Sequence, residues 1–351
     1  MHILTPLSDM TFPLQQPDHL VHRLLRVGEP YLVSEASARL YRQRMEVGDV
    51  RLLLREAEAR PVSATSERTL VFFSGEVGDA AAIGRGLHPG DAVDFVTAIG
   101  DECLLDTGAV FQYPVPLRLA DQYDTWVEFD ARAADGVEIP EAFAKAIGKT
   151  FPEEGPTWDT TPPVHLLLAD ALYRLLPQNG RPLVGVSMKS ASHYRSWPTL
   201  HAYHTMCGLA QAGYDCCIIG GTAERVIFKV DGQTKDLWGE GLYDLSGLCA
   251  NLPEVIALLS LMEVVVAPDN GMLQLACALG KPTVGVFGPT WGECRSKYAP
   301  TLTWVNGEGE CSPCWCKGDR PPCESTWCDA IGRIPPEEII EAAQKAAAEV
   351  P

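Results

Sequence analysis

No run of lysine and arginine occurs in the 351 residues, and the formal net charge is −18. A large nucleic-acid surface is therefore disfavoured, because it would need a local basic patch set against a field that repels polyanions. Long apolar runs are also missing: the most apolar late stretch, residues 255–267, is too short to span a bilayer and contains Glu263. The opening MHILTPLSDMTFPL has neither a basic start nor a long apolar core, so a secretory signal is not expected and the chain is expected in the cytoplasm. With no transmembrane segment, only peripheral membrane contact is left open. There is no short-period repeat and no low-complexity tract. What is present, 46% hydrophobic and 21% charged residues, is the composition of a globular chain with room for two domains.

The pattern is α/β. In "VVVAPDNGMLQLACALGKPTVGVFGPTWG", residues 264–292, a β-branched run breaks at Pro268 and a helix runs from about Met272 to Leu279. A strand from Thr283 to Phe287 follows, so two parallel strands joined by a crossover helix are expected, with Asp269-Asn270-Gly271 at the strand end where ligands bind. The strands "PLVGVSM" and "YDCCIIGG" and helices near 165–176, 200–212 and 253–260 extend this half. In the first half "TLVFFSG", "DAVDFVTAIG" and "YDTWVEFD" read as strands, and residues 37–60 read as helical within a poorly legible segment, 1–68. The proline-rich "FPEEGPTWDTTPP", residues 151–163, reads as the linker. The expected division is an N-terminal α/β domain over 1–160, a second α/β domain over 164–330 and a C-terminal helix over 335–351, with a cleft between the two halves.

Several side chains suit anion chemistry. Asp269, Asn270 and Gly271 open a helix, where backbone N–H groups and the positive dipole end hold a phosphate; equally, Asp269 is a good N-cap. Arg195 precedes Trp197-Pro198, and Pro198 suits the first turn of a helix, so an arginine there favours a phosphate contact over a solvated charge. Ser190 stands in the same turn. Glu224, after Gly220 and Gly221, suits either ribose hydroxyls or a helix cap. In "SGEVGDAA", Asp79 after the first strand of its half suits either a general base or an N-cap.

Twelve cysteines divide into seven scattered through apolar segments, as expected of thiols in a reducing cell, and five in "CSPCWCKGDRPPCESTWC". That spacing suits a structural metal, zinc first, held by Cys311, Cys314, Cys323 and Cys328 with Cys316 spare; two disulfides, an iron–sulfur cluster or plain thiols are the alternatives. The site is expected to lie remote from the chemistry.

The segments "VGVSMKSASHYRSWP", "CIIGGTAE", "SGLCANLPEVIALLSLMEVVVAPDNGMLQLACALGKPTVGVFGPT" and the cysteine segment before a last helix, in that order, resemble glycosyltransferase family 9, which contains the lipopolysaccharide heptosyltransferases. The resemblance implies two Rossmann-like domains facing across a cleft, the GT-B arrangement. It implies a nucleotide-sugar site lined by Ser190, Arg195, Glu224, Asp269, Asn270 and Gly271, with Gln274 beside them. Arg195 stands where the family usually has lysine, Asn270 where it has threonine or serine, and Gln274 where it has histidine. The family's acceptor-activating carboxylate maps to Asp79, with Gly78 beside it.

The activity expected is transfer of a hexosyl or heptosyl group from a nucleotide-diphosphate sugar to an acceptor hydroxyl, with inversion. The diphosphate leaves against Ser190, Arg195 and the helix N-terminus, so no metal is required for the chemistry. A saccharide or lipid-linked acceptor of lipopolysaccharide biosynthesis is the family default; modified nucleic acid or protein is the alternative acceptor. A non-catalytic nucleotide-sugar-binding relative is the rival reading.

Overall fold

The computed structural model describes residues 1–8, 10–15, 20–46, 50–61, 67–74, 77–84, 92–97, 110–112, 114–131, 139–149, 169–221, 228–230, 233–235, 241–297, 299–314 and 327–349. The chain divides into two compact units, Met1–Phe151 and Pro152–Pro351, and the division falls at the start of the proline-rich segment, which itself lies outside the described residues.

The second unit is built on a parallel six-stranded sheet. Its order across the sheet is Leu242–Asp244, Asp215–Ile218, Leu183–Val186, Val264–Pro268, Thr283–Phe287 and Leu302–Asn306. Every residue of the Val264–Pro268 and Thr283–Phe287 strands is buried, as expected of central strands covered on both faces. Val184, Val186, Val264, Val266, Val284 and Val286 share one face with Trp197, Met206, Leu209, Ile339 and Ala343. The helices Thr199–Gln211 and Pro336–Ala348 supply that cover, so the last helix belongs to this unit's core. On the other face there is no room for side chains at two glycines: a Cβ on Gly185 would stand 2.9 Å from Ile219, and one on Gly285 would stand 3.1 Å from Leu273. Gly285 thereby leaves room for the Phe287 ring, 2.2 Å from such a Cβ, and for Leu273 of the Gly271–Ala278 helix.

The first unit holds a parallel sheet in the order Thr125–Asp130, Thr69–Ser74, Val93–Thr97 and Val110–Gln112, with Phe95 and Phe143 stacked at 5.8 Å. Residues 37–60 are not one helix. The helix Glu35–Glu46 stops before Gly48-Asp49, and Leu52–Glu56 is a strand paired antiparallel with His2–Pro6, Ile3 opposite Arg55. This sheet runs Leu52–Glu56, His2–Pro6, Tyr31–Val33 and Val115–Pro116, beside a hairpin of Met10–Gln15 and Leu20–Leu25. The residue-52 segment alternates charge and leucine at its edges, so its period was ambiguous; pairing with the first strand decided it.

Candidate nucleotide-binding site

The carboxyl ends of the Leu183–Val186 and Val264–Pro268 strands converge on one buried carboxylate. Asp269 is 4% exposed, and its Oδ2 lies 3.3 Å from Arg295 Nη2 and 3.5 Å from Arg195 Nη1. Burial alone pushes such a carboxyl up; the two guanidinium groups outweigh it and hold Asp269 below the usual carboxylate range. The Asp269 carbonyl accepts from Arg195 Nη1 and from Ser190 Oγ, both at 3.0 Å. Arg195 and Ser190 are thereby joined to the Asp-Asn-Gly turn from a chain position more than 70 residues earlier.

Asn270, not Asp269, caps the helix. Its backbone is extended, its Oδ1 accepts from the Leu273 N–H at 3.0 Å, and its Nδ2 donates to Ser187 Oγ at 2.9 Å and to the Lys189 carbonyl at 2.7 Å. The side-chain amide is thus occupied internally, and the amides left without an acceptor inside the helix are those of Gly271 and Met272 at its first turn. Gln274 is buried on that helix, 7% exposed. Arg195 ends a short 3-10 turn, His193–Arg195, and Pro198 occupies the cap position before Thr199–Gln211.

Beside this turn lies a small, half-open apolar hollow lined by Ile219, Gly220, Leu245, Cys249, Leu258 and Met272. Gly220, at φ 124°, adopts a backbone conformation that a side chain would strain. Glu224 lies outside the described residues, as does Cys323. Asp79 is half-buried in the first turn of the eight-residue helix Val77–Gly84, in the first unit, with Gly78 just before it.

Arg295 is the functional candidate that sequence reasoning missed. It is buried in the short helix Glu293–Ser296 and has no motif around it; only the topology, which sets the loop after Thr283–Phe287 next to that after Val264–Pro268, brings it to Asp269.

The described part of the cysteine segment is bonded to the loop after Thr283–Phe287. The Cys314 N–H donates to the Pro289 carbonyl at 2.9 Å, and Ser312 Oγ donates to the Gly288 carbonyl at 2.5 Å, so the segment is bonded to the loop that leads to Arg295. Cys311 is exposed and Cys328 is buried, and neither is in a disulfide. Burial pushes the Cys328 thiol up, and charge at Cys314 and Cys311 pushes it the same way, which sets the three in one electrostatic neighbourhood. Among the described residues no three His, Cys, Asp or Glu side chains stand together as a metal site.

The sequence profile of glycosyltransferase family 9 (heptosyltransferase) matches residues 142–323, more than half of the chain; Ser190, Arg195, Asp269, Asn270 and Arg295 fall within it, and Asp79 and Cys328 do not. The chain belongs to glycosyltransferase family 9. Solved structures share the fold of this family 9 chain at low identity. A family 9 glycosyltransferase from Veillonella parvula is 13% identical, with a TM-score of 0.61 over 84% of this chain and 100% of its own. The iron-containing dodecameric glycosyltransferase TibC from enterotoxigenic Escherichia coli is 13% identical, at 0.56 over 99% and 91%. Escherichia coli heptosyltransferase WaaC, solved with ADP, is 15% identical, at 0.52 over 80% and 99%. These are GT-B enzymes, and the chain is a mixed α/β protein of that fold. No curated protein sequence matches it. Among the described residues no helix is long and apolar enough to cross a membrane.

Proposed function

We propose that this family 9 glycosyltransferase transfers a sugar, heptose first among the candidates, from a nucleoside-diphosphate sugar to an acceptor hydroxyl with inversion and without a catalytic metal. The observation that carries the reading is the buried Arg295–Asp269–Arg195 arrangement beneath the first turn of Gly271–Ala278. Arg195 and the amides of Gly271 and Met272 offer fixed donors to a departing diphosphate, and fixed donors need no reorganisation as charge develops; Ser190, its hydroxyl donated to the Asp269 carbonyl, holds the turn in place. WaaC, solved with ADP, makes adenine the first base to test. Asp79 is proposed as the base that takes the acceptor proton, and a saccharide or lipid-linked saccharide as the acceptor. Work on a nucleotide sugar of this kind favours the cytoplasm.

Calorimetric titration with ADP and ADP-heptose tests the donor half. Arg195→Ala removes a charge-assisted contact and is expected to weaken ADP binding about ten- to hundredfold. Unchanged affinity in a folded variant overturns the assignment. Asp79→Asn is expected to keep donor affinity and lose transfer, because an amide cannot accept the proton; transfer at the unaltered rate sinks that role, and binding without any transfer by the unaltered protein favours the non-catalytic reading.

The cysteine segment is proposed to hold a structural metal through Cys311, Cys314, Cys323 and Cys328. Thiolates suit zinc, and TibC, an iron-containing relative, makes iron the competitor. The role is mechanical: the segment is bonded to the Gly288–Pro289 turn, so a metal there would stiffen the loop leading to Arg295. Elemental analysis of untagged protein purified without added metal is expected to find one equivalent of zinc or iron; less than about a tenth of an equivalent in a folded chain rules it out.

A further inference from the structure

Along the loop that follows the Thr283–Phe287 strand, one side chain breaks the pattern. Every other residue from Thr283 to Gly292 is buried, yet Trp291, the largest of them, is 42% exposed. The backbone on either side of it is pinned. The Gly288 carbonyl accepts from Ser312 Oγ, the Pro289 carbonyl accepts from the Cys314 N–H, and the Gly292 N–H donates to Asn306 Oδ1 at 3.0 Å. Trp304 already packs against Gly292, where an added Cβ would meet it at 2.4 Å. Burying the Trp291 indole would stabilise the fold, so a pinned loop that holds it in water instead presents a preorganised aromatic plane.

That plane stands at the carboxyl edge of the sheet. Val286 pairs with Pro268, so the two strands end side by side, and Trp291 lies between that end and Arg295, whose Nη2 is 3.3 Å from Asp269. A nucleoside-diphosphate sugar is a linear molecule with its phosphates in the middle. The groups proposed to hold those phosphates, Arg195 and the Gly271 and Met272 amides, follow the two middle strands, Leu183–Val186 and Val264–Pro268. The two ends of the molecule therefore extend along the edge in opposite directions. Toward Asp215–Ile218 the chain offers Gly220 and Gly221, and nothing stands within 4 Å of a Cβ added at Gly221, so a nucleoside can approach the backbone there. Toward Thr283–Phe287 it offers Trp291.

We propose that the Trp291 indole is the platform on which the sugar ring of the donor stacks. This rests on the donor-site reading above. The electron-rich face of an indole attracts the weakly positive C–H hydrogens on one face of a sugar ring, which fixes the ring's orientation and leaves its hydroxyls free for polar groups to read.

Calorimetric titration with ADP and with ADP-heptose is the test, because the two ligands differ only in the sugar. Trp291→Ala is expected to leave ADP affinity within about twofold and to weaken ADP-heptose binding about tenfold. Its melting temperature is expected to be unchanged, since the side chain removed is exposed. Trp291→Phe keeps an aromatic plane and should stay within about threefold of the unaltered protein for both ligands; Trp291→Leu, apolar but without a ring face, should lose as much as alanine. An alanine variant that binds both ligands unchanged overturns the proposal. So does one that loses ADP as severely as ADP-heptose, which would set the base or the loop, not the sugar, against the indole, and so does a leucine variant that binds like the phenylalanine. Failure of the donor-site reading looks different: Arg195→Ala leaves both affinities intact, or the unaltered protein binds neither ligand, and the latter takes this proposal with it.

Discussion

At residue 270 one side chain makes three hydrogen bonds. Asn270 accepts from the Leu273 N–H and donates to Ser187 and to the Lys189 carbonyl, so it caps its helix and ties two strand ends together at once. A good cap alone contributes about 1 kcal/mol, and the two donated bonds add about 0.5–1.5 kcal/mol each. Asn270→Ala is therefore expected to cost about 2–4 kcal/mol in denaturant unfolding. Asn270→Asp keeps the capping acceptor and loses both donors, so it should fall between. A cost below about 0.5 kcal/mol for the alanine variant would mean the turn is held by something else. The sequence points to this turn but not to the division of labour within it. Asp and Asn are both strong caps, and only burial beside arginines from distant loops tells which of the two is left to make an ion pair.

At the scale of elements, four strands of the second unit's sheet were legible because each is an apolar run bounded by glycine or proline, as in Thr283–Phe287, whereas the edge strands Leu242–Asp244 and Leu302–Asn306 carry polar residues and were not. The antiparallel sheet of the first unit was not, since its partners are separated by up to 85 residues, Tyr31 from Pro116, and each strand is short, three residues for Tyr31–Val33. A different kind of contact was invisible for the same reason. A Cβ on Gly307 would stand 1.9 Å from the Ala330 carbonyl oxygen, where backbone meets backbone and neither side can yield cheaply. Gly307→Ala is expected to destabilise the second unit by about 3 kcal/mol or more and to loosen the 327–333 segment from the sheet. Gly221→Ala is the control, because nothing stands within 4 Å of its added carbon. Equal melting temperatures for the two variants would show that the segment can shift and that the packing at Gly307 carries little.

For the molecule as a whole, acidification sets two tendencies against each other. Protonating carboxylates relieves the self-repulsion of a chain with net charge −18, which favours the compact state. It also discharges the carboxylates that the fold holds in partnership. In the first unit Glu35 accepts from His2, Arg39 and Arg42 and is lowered to about 2; in the second, Asp269 is held below its ordinary range by Arg295 and Arg195. Each is depressed in the folded state, so its contribution is fully present above the unfolded value near pH 4 and is lost as pH falls through the folded value. Every arginine or histidine partner of each carboxylate lies in that carboxylate's own unit. Asp269→Asn should therefore flatten the acid loss of hydrogen-exchange protection below about pH 4 in peptides of the Pro152–Pro351 unit, and leave the Met1–Phe151 unit unchanged. Glu35→Gln should do the reverse. A change that appears in both units from either substitution would show that their stabilities are coupled, and would overturn the expectation that each titrates on its own.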